Sequence, residues 1–287
     1  MIDSGATAPA APALPPPFPF FLPVAGQGAR FCLYHAPAGP AMAALVYLHP
    51  FAEEMNRSRR MAALAARALA ARGVAVLQID LLGCGDSSGD FSDARWDAWH
   101  ADVRHAVAWL SERSGHAPGL WGLRMGALLA LDCARDVACP HLLLWQPVHS
   151  GATYLTQFLR LQLAADMLDQ QQAARTTTAA LRATLRAGTP LEIAGYTLAP
   201  AMADALDALD SKTLAPPCPT HWFELAPEAG RPIPPAGAAV LQAWQMQGAA
   251  VQARVVAGPQ FWATPEIATS AALLDATAGL FGAAHVQ

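Results

Sequence analysis

Two runs that are apolar over most of their length, VAVLQID over 74–80 and HLLLWQP over 141–147, place the strongest constraint on how this chain folds. A strand with one face in water alternates polar and apolar residues. These runs do not, so we predict strands that are buried on both faces. Such strands need helices above and below the sheet, and helical spacing of apolar residues recurs over 58–72, 96–110, 127–137, 236–247 and 265–281. This alternation predicts an α/β fold with a mostly parallel, doubly wound sheet.

The order of the predicted elements divides the chain into a leader, a core and an insertion. Residues 1–17 are rich in Ala and Pro and lack apolar periodicity, which predicts a disordered leader. Three short β-type runs follow between Phe18 and Pro50. Residues 150–210 are mostly helical with no predicted strand. We therefore predict a helical cap over 150–210, inserted in a core formed by 18–149 and 211–283.

Composition narrows the classes of function. The 287 residues are 54% hydrophobic, and 18 basic against 22 acidic residues give a formal charge of −4, which argues against a nucleic-acid binder. No uncharged apolar run reaches the roughly 18 residues that a membrane span needs. Asp3 and the nearby prolines argue against a signal peptide. The five cysteines are scattered without metal-type spacing, so we expect a cytoplasmic protein without membrane insertion, metal or cofactor.

Three motifs follow predicted strands and are rich in residues that shape tight turns. The first is DLLGCGDSSG over 80–89, directly after a buried strand. The second is WGLRMGA over 121–127, where Gly122 and Gly126 flank Arg124 in the pattern G-x-R-x-G between a strand and a helix. The third is LHPF over 48–51, at the end of an earlier strand. Glycines flanking a strand-to-helix turn indicate that the backbone there packs too closely for side chains.

These motifs resemble those of the α/β-hydrolases, whose nucleophile elbow has the pattern G-x-S-x-G. The likeness extends from about residue 20 to 281. More narrowly, the segments 49–60, 80–91, 121–131, 192–198 and 257–262 resemble the proteins named exosortase A system-associated hydrolase 2. That resemblance implies a cytoplasmic α/β-hydrolase encoded beside exopolysaccharide and PEP-CTERM protein-sorting genes of Gram-negative bacteria. The word hydrolase in that family name rests on the fold, which does not itself establish a reaction.

By this resemblance, Arg124 occupies the position of the nucleophile. A guanidinium stays protonated and offers only hydrogen-bond donors, so Arg124 can neither attack a carbonyl nor shuttle a proton. The region after the last strand, 256–262, contains no histidine to serve as the base. Glu224 or Glu228 could fill the acid position, but a carboxylate without its histidine has nothing to orient. Ordinary serine hydrolysis is therefore excluded by the sequence.

Other polar residues follow the predicted strands, and the carboxyl ends of these strands converge on one crevice in a doubly wound sheet. Cys84 paired with His49 or His149 would be a thiolate–imidazole site, and the alternative is that Cys84 fills space and His49 fixes a loop. His49 with Glu53 or Glu54 gives two metal ligands, whereas catalytic zinc needs three. The candidate catalytic residues are Arg124, His49 and Glu53. The candidate ligand-binding residues are Arg57, Met125, Gln146, Phe261 and Trp262.

Arg124 itself has two interpretations. One is a structural ion pair with Glu53 or Glu54, and the other is a binding site for a carboxylate or phosphate at the start of the following helix. An unpaired buried charge is costly, so some anion must lie close to it. Three functions remain open: an ester or thioester hydrolase or acyltransferase, a non-catalytic protein that binds an acyl or other anionic small molecule, and a scaffold that docks a partner through 150–210. The oligomeric state is left open.

Overall fold

The computed structural model describes residues 13–168 and 177–282, and an eight-stranded sheet forms its centre. Its strands are β1 Phe18–Pro23, β2 Ala29–His35, β3 Ala43–Leu48, β4 Val74–Ile79, β5 Gly119–Leu123, β6 Leu142–Trp145, β9 Thr220–Ala226 and β10 Val251–Ala257. Their order in the sheet is β1-β2-β4-β3-β5-β6-β9-β10. β1 pairs antiparallel with β2, and β2 pairs antiparallel with β4, while all later pairs are parallel.

Helices cover both faces of this sheet, as the continuous apolar runs predict. Side chains of β3 alternate between two cores, because Leu45 and Tyr47 face one cluster and Val46 and Leu48 face the other. The covering helices are α1 Glu53–Ala70, α2 Trp96–Ser114, α3 Met125–Cys133, α7 Pro235–Met246 and α8 Ala271–Ala278. One cluster lies under α1 and α8, and the other lies under α2, α3 and α7. The prediction of a mostly parallel, doubly wound sheet is confirmed.

The chain between β6 and β9 forms helices α4 (Gly151–Leu168), α5 (Thr178–Arg186) and α6 (Pro200–Ala208), together with a small hairpin. The prediction that this segment contains no strand is wrong, because β7 (Leu191–Ile193) pairs antiparallel with β8 (Tyr196–Leu198). Strands of three residues are too short to show a periodic pattern, and the turn at Ala194 and Gly195 has positive φ at both residues. That 150–210 acts as a cap stays a prediction.

Several predicted helix limits also shift. Helix α1 begins at Glu53, five residues before the predicted start, so the acidic residues after β3 form its first turn. Helix α3 covers 125–133, whereas the predicted helix covered 127–137. Helix α8 begins after Ser270, whose side chain accepts a hydrogen bond from the backbone N–H of Leu273. Most of the predicted leader, residues 1–12, lies outside the described residues, and 13–17 form no regular element before β1.

No helix in the described parts of the chain is both long enough and apolar enough to cross a bilayer.

Candidate functional site

Arg124 sits at the apex of a strained turn between β5 and α3. Its backbone has φ 57° and ψ −116°, a combination that residues other than glycine rarely adopt. The flanking glycines are required, because a Cβ on Gly126 would overlap the carbonyl oxygen of Leu48 and one on Gly122 would overlap that of Gly126. The Arg124 N–H donates to the Trp145 carbonyl at 2.9 Å, which ties the turn to the end of β6. The sequence motif therefore produces the turn that it predicts.

The Arg124 guanidinium is mostly enclosed, with 19% of the side chain exposed. Its Nη2 lies 3.3 Å from Oε1 of Glu54 in the first turn of α1. The guanidinium carbon lies 5.4 Å from the ring centre of Trp262 and 5.7 Å from that of Tyr154, so aromatic faces lie beside the charge. Burial raises the pKa of Glu54, and the Arg124 charge opposes that rise. Of the two glutamates that we considered as partners, Glu54 is the one in contact.

The Glu54 contact does not use all of the Arg124 donors. The Nε atom of Arg124 is buried without a hydrogen-bond partner among the residues that the structure describes. Arg124 also lines a cavity of about 340 Å³, together with Gln146, His149, Tyr154 and Glu224. The structure thus places both a protein carboxylate and an open cavity beside the guanidinium.

Three neighbouring strands deliver the polar residues of this cavity at their carboxyl ends. Arg124 follows β5, Gln146 follows β6, and Glu224 lies near the end of β9. Gln146 has φ 44°, and its side-chain oxygen accepts a hydrogen bond of 2.7 Å from the backbone N–H of Leu225. Gln146, a candidate ligand-binding residue, therefore lines the cavity and also fastens β6 to β9. The crevice outside the carboxyl ends of parallel strands is where ligands bind in sheets of this kind.

Glu224 and His149 form the second polar pair of the cavity. Glu224 is 2% exposed, and its Oε1 accepts a hydrogen bond of 3.0 Å from Nε1 of Trp222. The same Oε1 lies 3.8 Å from Nε2 of His149, which is too long for a direct hydrogen bond. Within the described residues, Oε2 of Glu224 and Nδ1 of His149 are both buried without a partner.

Burial determines how this pair titrates. It raises the pKa of Glu224 from 4.5 to about 7, and hydrogen bonding and the Arg124 charge only partly oppose that rise. Burial and then the Arg124 charge lower the pKa of His149 to about 4. At neutral pH His149 is therefore uncharged, while Glu224 is divided between its protonated and ionised forms. Despite their separation of 3.8 Å, the two side chains are not an ion pair near pH 7.

The sequence pattern does not indicate that His149 and Glu224 are neighbours. It offers Glu224 only as the acid of a triad, and His149 only as a partner of Cys84. The two residues are far apart in the sequence and meet because β6 pairs with β9, with Trp145 opposite Phe223. The register of these two strands is the signal that would have indicated the pair.

His49 lies outside the cavity beside Arg124. It is 5% exposed, its Nδ1 lies 2.8 Å from the Pro50 carbonyl oxygen, and its Nε2 accepts from the backbone N–H of Leu81 at 3.2 Å. Both ring nitrogens are therefore engaged, and burial lowers the pKa of the ring. These contacts join the loops after β3 and β4. They are the contacts expected of a residue that fixes a loop.

Glu53 and Arg57 stand on the outer side of α1. Glu53 is 51% exposed and accepts hydrogen bonds of 3.1 Å from Asn56 and from the Tyr196 hydroxyl of the hairpin. The hydrogen bond from Asn56 is the main reason that the pKa of Glu53 is lowered. Arg57 donates to the carbonyl oxygens of Ala263 and Thr264, so it holds the loop after β10. Neither residue lines the cavity beside Arg124.

The remaining candidates are apolar or weakly acidic. Met125 is buried at the start of α3, and Phe261 is buried against the ring of Trp262. Trp262 contacts the Arg124 guanidinium, so it is the member of this group that reaches the site. Cys84 is buried, and burial raises the pKa of its thiol, which disfavours the thiolate. Across the described ranges, no cluster of three or more His, Cys, Asp or Glu residues could hold a metal ion.

Solved structures share this fold at low sequence identity. Est1E from Butyrivibrio proteoclasticus, determined with ferulic acid bound, is 14% identical over 88% of this chain and 92% of that chain, with a TM-score of 0.60. An α/β serine hydrolase homologue from Coxiella burnetii is 15% identical over 92% and 95% of the two chains, with a TM-score of 0.55. Mouse α/β-hydrolase domain-containing protein 10 is 14% identical over 83% and 88%, with a TM-score of 0.53.

Sequence comparison places the chain in a family. No curated protein matches the sequence significantly. The profile of the family described as serine aminopeptidase, S33 matches residues 39–206, which is more than half of the chain. The matched range includes the turn at Arg124 and extends from β3 into α6. The chain therefore belongs to the serine aminopeptidase S33 family and has the α/β-hydrolase fold.

Proposed function

We propose that this chain binds a small ligand through a carboxylate or carbonyl oxygen in the cavity beside Arg124, and that it does not perform serine hydrolysis. One observation carries the proposal: Arg124 lines a cavity of about 340 Å³, and the ion pair that it forms with Glu54 uses only Nη2 of its guanidinium. A hydrogen bond from a charged donor such as this guanidinium to a ligand oxygen contributes roughly 1.5–3 kcal/mol.

The surroundings of Arg124 favour an oxygen that carries full or partial negative charge. Glu54 contacts one guanidinium nitrogen at 3.3 Å, which leaves the other donors available. Trp262 and Tyr154 keep water from the charge and thereby strengthen the interaction with a ligand. Below pH 7, a protonated Glu224 offers a second donor to a carboxylate. An acyl chain or ring attached to the bound group would lie among Val148, Pro234 and Ala236 of the cavity wall.

Calorimetry with short carboxylates tests this proposal. The probes are acetate, butyrate, octanoate and ferulic acid, the last because it is bound in the Est1E structure. We expect binding by the wild type that is lost in Arg124→Ala, and unchanged binding in the control Arg231→Ala, whose side chain is 56% exposed. Equal binding by the wild type and Arg124→Ala, or no binding of any probe, contradicts the proposal.

A fluorophosphonate probe tests the second half of the proposal. The probe reacts with an activated serine, and the turn carries an arginine instead. We expect no covalent labelling. Stoichiometric labelling would show that another residue serves as a serine nucleophile.

A second candidate function is enzymatic: an ester or thioester hydrolase or acyltransferase that acts in exopolysaccharide export or PEP-CTERM protein sorting. The observation that favours catalysis is the cavity carboxyl of Glu224, whose pKa of about 7 suits a general base. The biological assignment is supported by the sequence segments that resemble exosortase A system-associated hydrolase 2. Deleting the gene and following polysaccharide export and the sorting of a PEP-CTERM protein tests that assignment. Normal export and sorting contradict it.

A further inference from the structure

We infer that Cys139 and Cys218 are a modification site: a peroxide oxidises them to a disulfide, which reversibly links the loops that precede β6 and β9. Both residues are free thiols, and both are half-buried. They lie before the amino ends of these strands, whereas Arg124 follows the carboxyl end of the parallel strand β5. The inference is therefore independent of the proposed function.

The pairing of β6 with β9 brings the two cysteines together. The strands are parallel, with Leu142 opposite Thr220, and the Leu142 N–H donates to the Pro219 carbonyl oxygen at 2.9 Å. Cys139 lies three residues before Leu142. Cys218 lies two residues before Thr220, so the chain enters both strands at nearly the same level. Both cysteine side chains pack against the same hydrophobic cluster, on one face of the sheet.

The two thiols are in direct contact. A hydrogen bond joins the Cys218 thiol to the Cys139 sulfur. Each cysteine directly precedes a proline, Pro140 or Pro219, and a residue before a proline is restricted to extended conformations. The backbone on either side of the contact is thus limited in its freedom. A disulfide bond of about 2.05 Å requires the two sulfur atoms, already in contact, to move closer.

The surroundings favour Cys139 as the thiol that reacts first. The hydrogen bond from Cys218, followed by backbone hydrogen bonds at Leu120 and His141, lowers the pKa of Cys139 against the opposing effect of burial. The same contact raises the pKa of Cys218, which therefore keeps its proton. The thiolate is the reactive form of cysteine, and a low pKa beside a second, resolving cysteine is typical of peroxide-sensitive pairs.

The other three cysteines are protected from the same reaction. All three are buried, and burial raises the pKa of each thiol: Cys32, Cys84 and Cys133. Cys133 is six residues from Cys139 in the sequence, yet it is 1% exposed. Oxidation should therefore be confined to the contacting pair.

The reaction balances with a peroxide as the oxidant. The Cys139 thiolate attacks one peroxide oxygen, the O–O bond breaks, and the other oxygen takes a proton and leaves as water when the peroxide is hydrogen peroxide. The Cys218 sulfur then attacks the sulfenic sulfur on Cys139, the S–O bond breaks, and a second water leaves. Two thiols thereby lose two electrons and two protons, and one hydrogen peroxide is reduced to two waters.

The disulfide would close a loop from 139 to 218, which contains α4, α5, α6 and the hairpin. A cross-link stabilises a protein mainly by restricting the unfolded chain, and a long loop gains the most. We therefore expect the oxidised chain to have a thermal midpoint at least about 4 °C above that of the reduced chain. A thiol reductant should return the midpoint to its starting value.

Peptide mapping of the full chain tests the inference. The protein is treated with limiting hydrogen peroxide, its remaining thiols are blocked with iodoacetamide, and it is digested with trypsin without reduction. Cleavage after Arg135 and Lys212 places Cys133, Cys139 and Cys218 in three different peptides. We expect a disulfide between peptides 136–160 and 213–254, with the other cysteines blocked as free thiols.

Three variants and the thermal midpoint complete the test. Cys218→Ser should show no disulfide and no shift in midpoint, and dimedone should label a sulfenic acid on Cys139. Cys139→Ser should keep its cysteines as thiols, while the matched control Cys133→Ala should still form the link. A wild type with no link, a link through any other cysteine, or equal thiol loss in Cys139→Ser and the wild type each overturns the inference. An oxidised wild type with an unchanged midpoint overturns the stabilising role of the link.

Discussion

Replacing Glu224 by Gln should stabilise this protein, and by an amount that depends on pH. The carboxyl is 2% exposed, and burial raises its pKa from 4.5 to about 7. A carboxyl with a raised folded-state pKa favours the folded state below its unfolded pKa, and that contribution is lost as the pH rises towards 7. Gln keeps the size of the side chain and an oxygen for the Trp222 N–H, but it cannot ionise.

The size of the effect follows from the two pKa values. A difference of one pKa unit corresponds to about 1.4 kcal/mol, so burying the ionised carboxylate costs about 3 kcal/mol of unfolding free energy at pH 8. At pH 5 most folded molecules carry the proton already, and the cost falls to about 1 kcal/mol. The stability gained by Glu224→Gln over the wild type should therefore grow by about 2 kcal/mol between pH 5 and pH 8.

Urea unfolding at pH 5, 6, 7 and 8 measures this difference for the two proteins. Comparing them at each pH cancels the contributions of other groups, including His149, whose pKa is lowered. Glu228→Gln is the matched control, because the Glu228 side chain is 74% exposed and should show no pH-dependent difference. If Glu224→Gln differs from the wild type by the same amount at all four pH values, the carboxyl does not titrate as the buried site requires.

Two further substitutions test the framework that holds the site. Asp102→Ala should lower the unfolding free energy, measured in urea, by about 3–5 kcal/mol. The reason is that Arg30 stays buried but loses the carboxylate that lies 2.7 Å from it. A loss under about 1 kcal/mol would contradict the burial of this pair. Gly126→Ala should prevent folding or lower the thermal midpoint sharply, because its Cβ would overlap the Leu48 carbonyl. Gly279→Ala, which meets nothing within 4 Å, is its control, and equal midpoints for the two variants would refute the packing of the turn.

The fold could be predicted from the sequence because its main signals are periodic and long. Strands such as β4 are continuous apolar runs, and the helices between them repeat apolar residues over several turns. The turn at Arg124 was also predictable, since its two glycines are a local pattern. The hairpin at 191–198 was not, because strands of three residues carry too little pattern.

The site itself was only partly predictable, and the reason is geometric. The resemblance to the α/β-hydrolases predicts that Arg124 takes the place of a nucleophile, but it does not predict which carboxylate contacts the guanidinium. Glu54 rather than Glu53 does so, because α1 begins at residue 53 and turns Glu53 towards solvent. His149 and Glu224 meet only through the pairing of β6 with β9. His49 stood out in the sequence, yet its ring nitrogens are used within the loops.

The backbone at Arg124 keeps its positive φ although no attacking atom sits there. Two glycines and the hydrogen bond to Trp145 impose the conformation, so it does not depend on the side chain that residue 124 carries. A serine or cysteine introduced at this position would have the backbone conformation that the turn now imposes on Arg124. The imidazole of His149 and the carboxyl of Glu224 line the cavity beside it. Residue 124 can therefore be substituted without altering the two glycines that impose the turn.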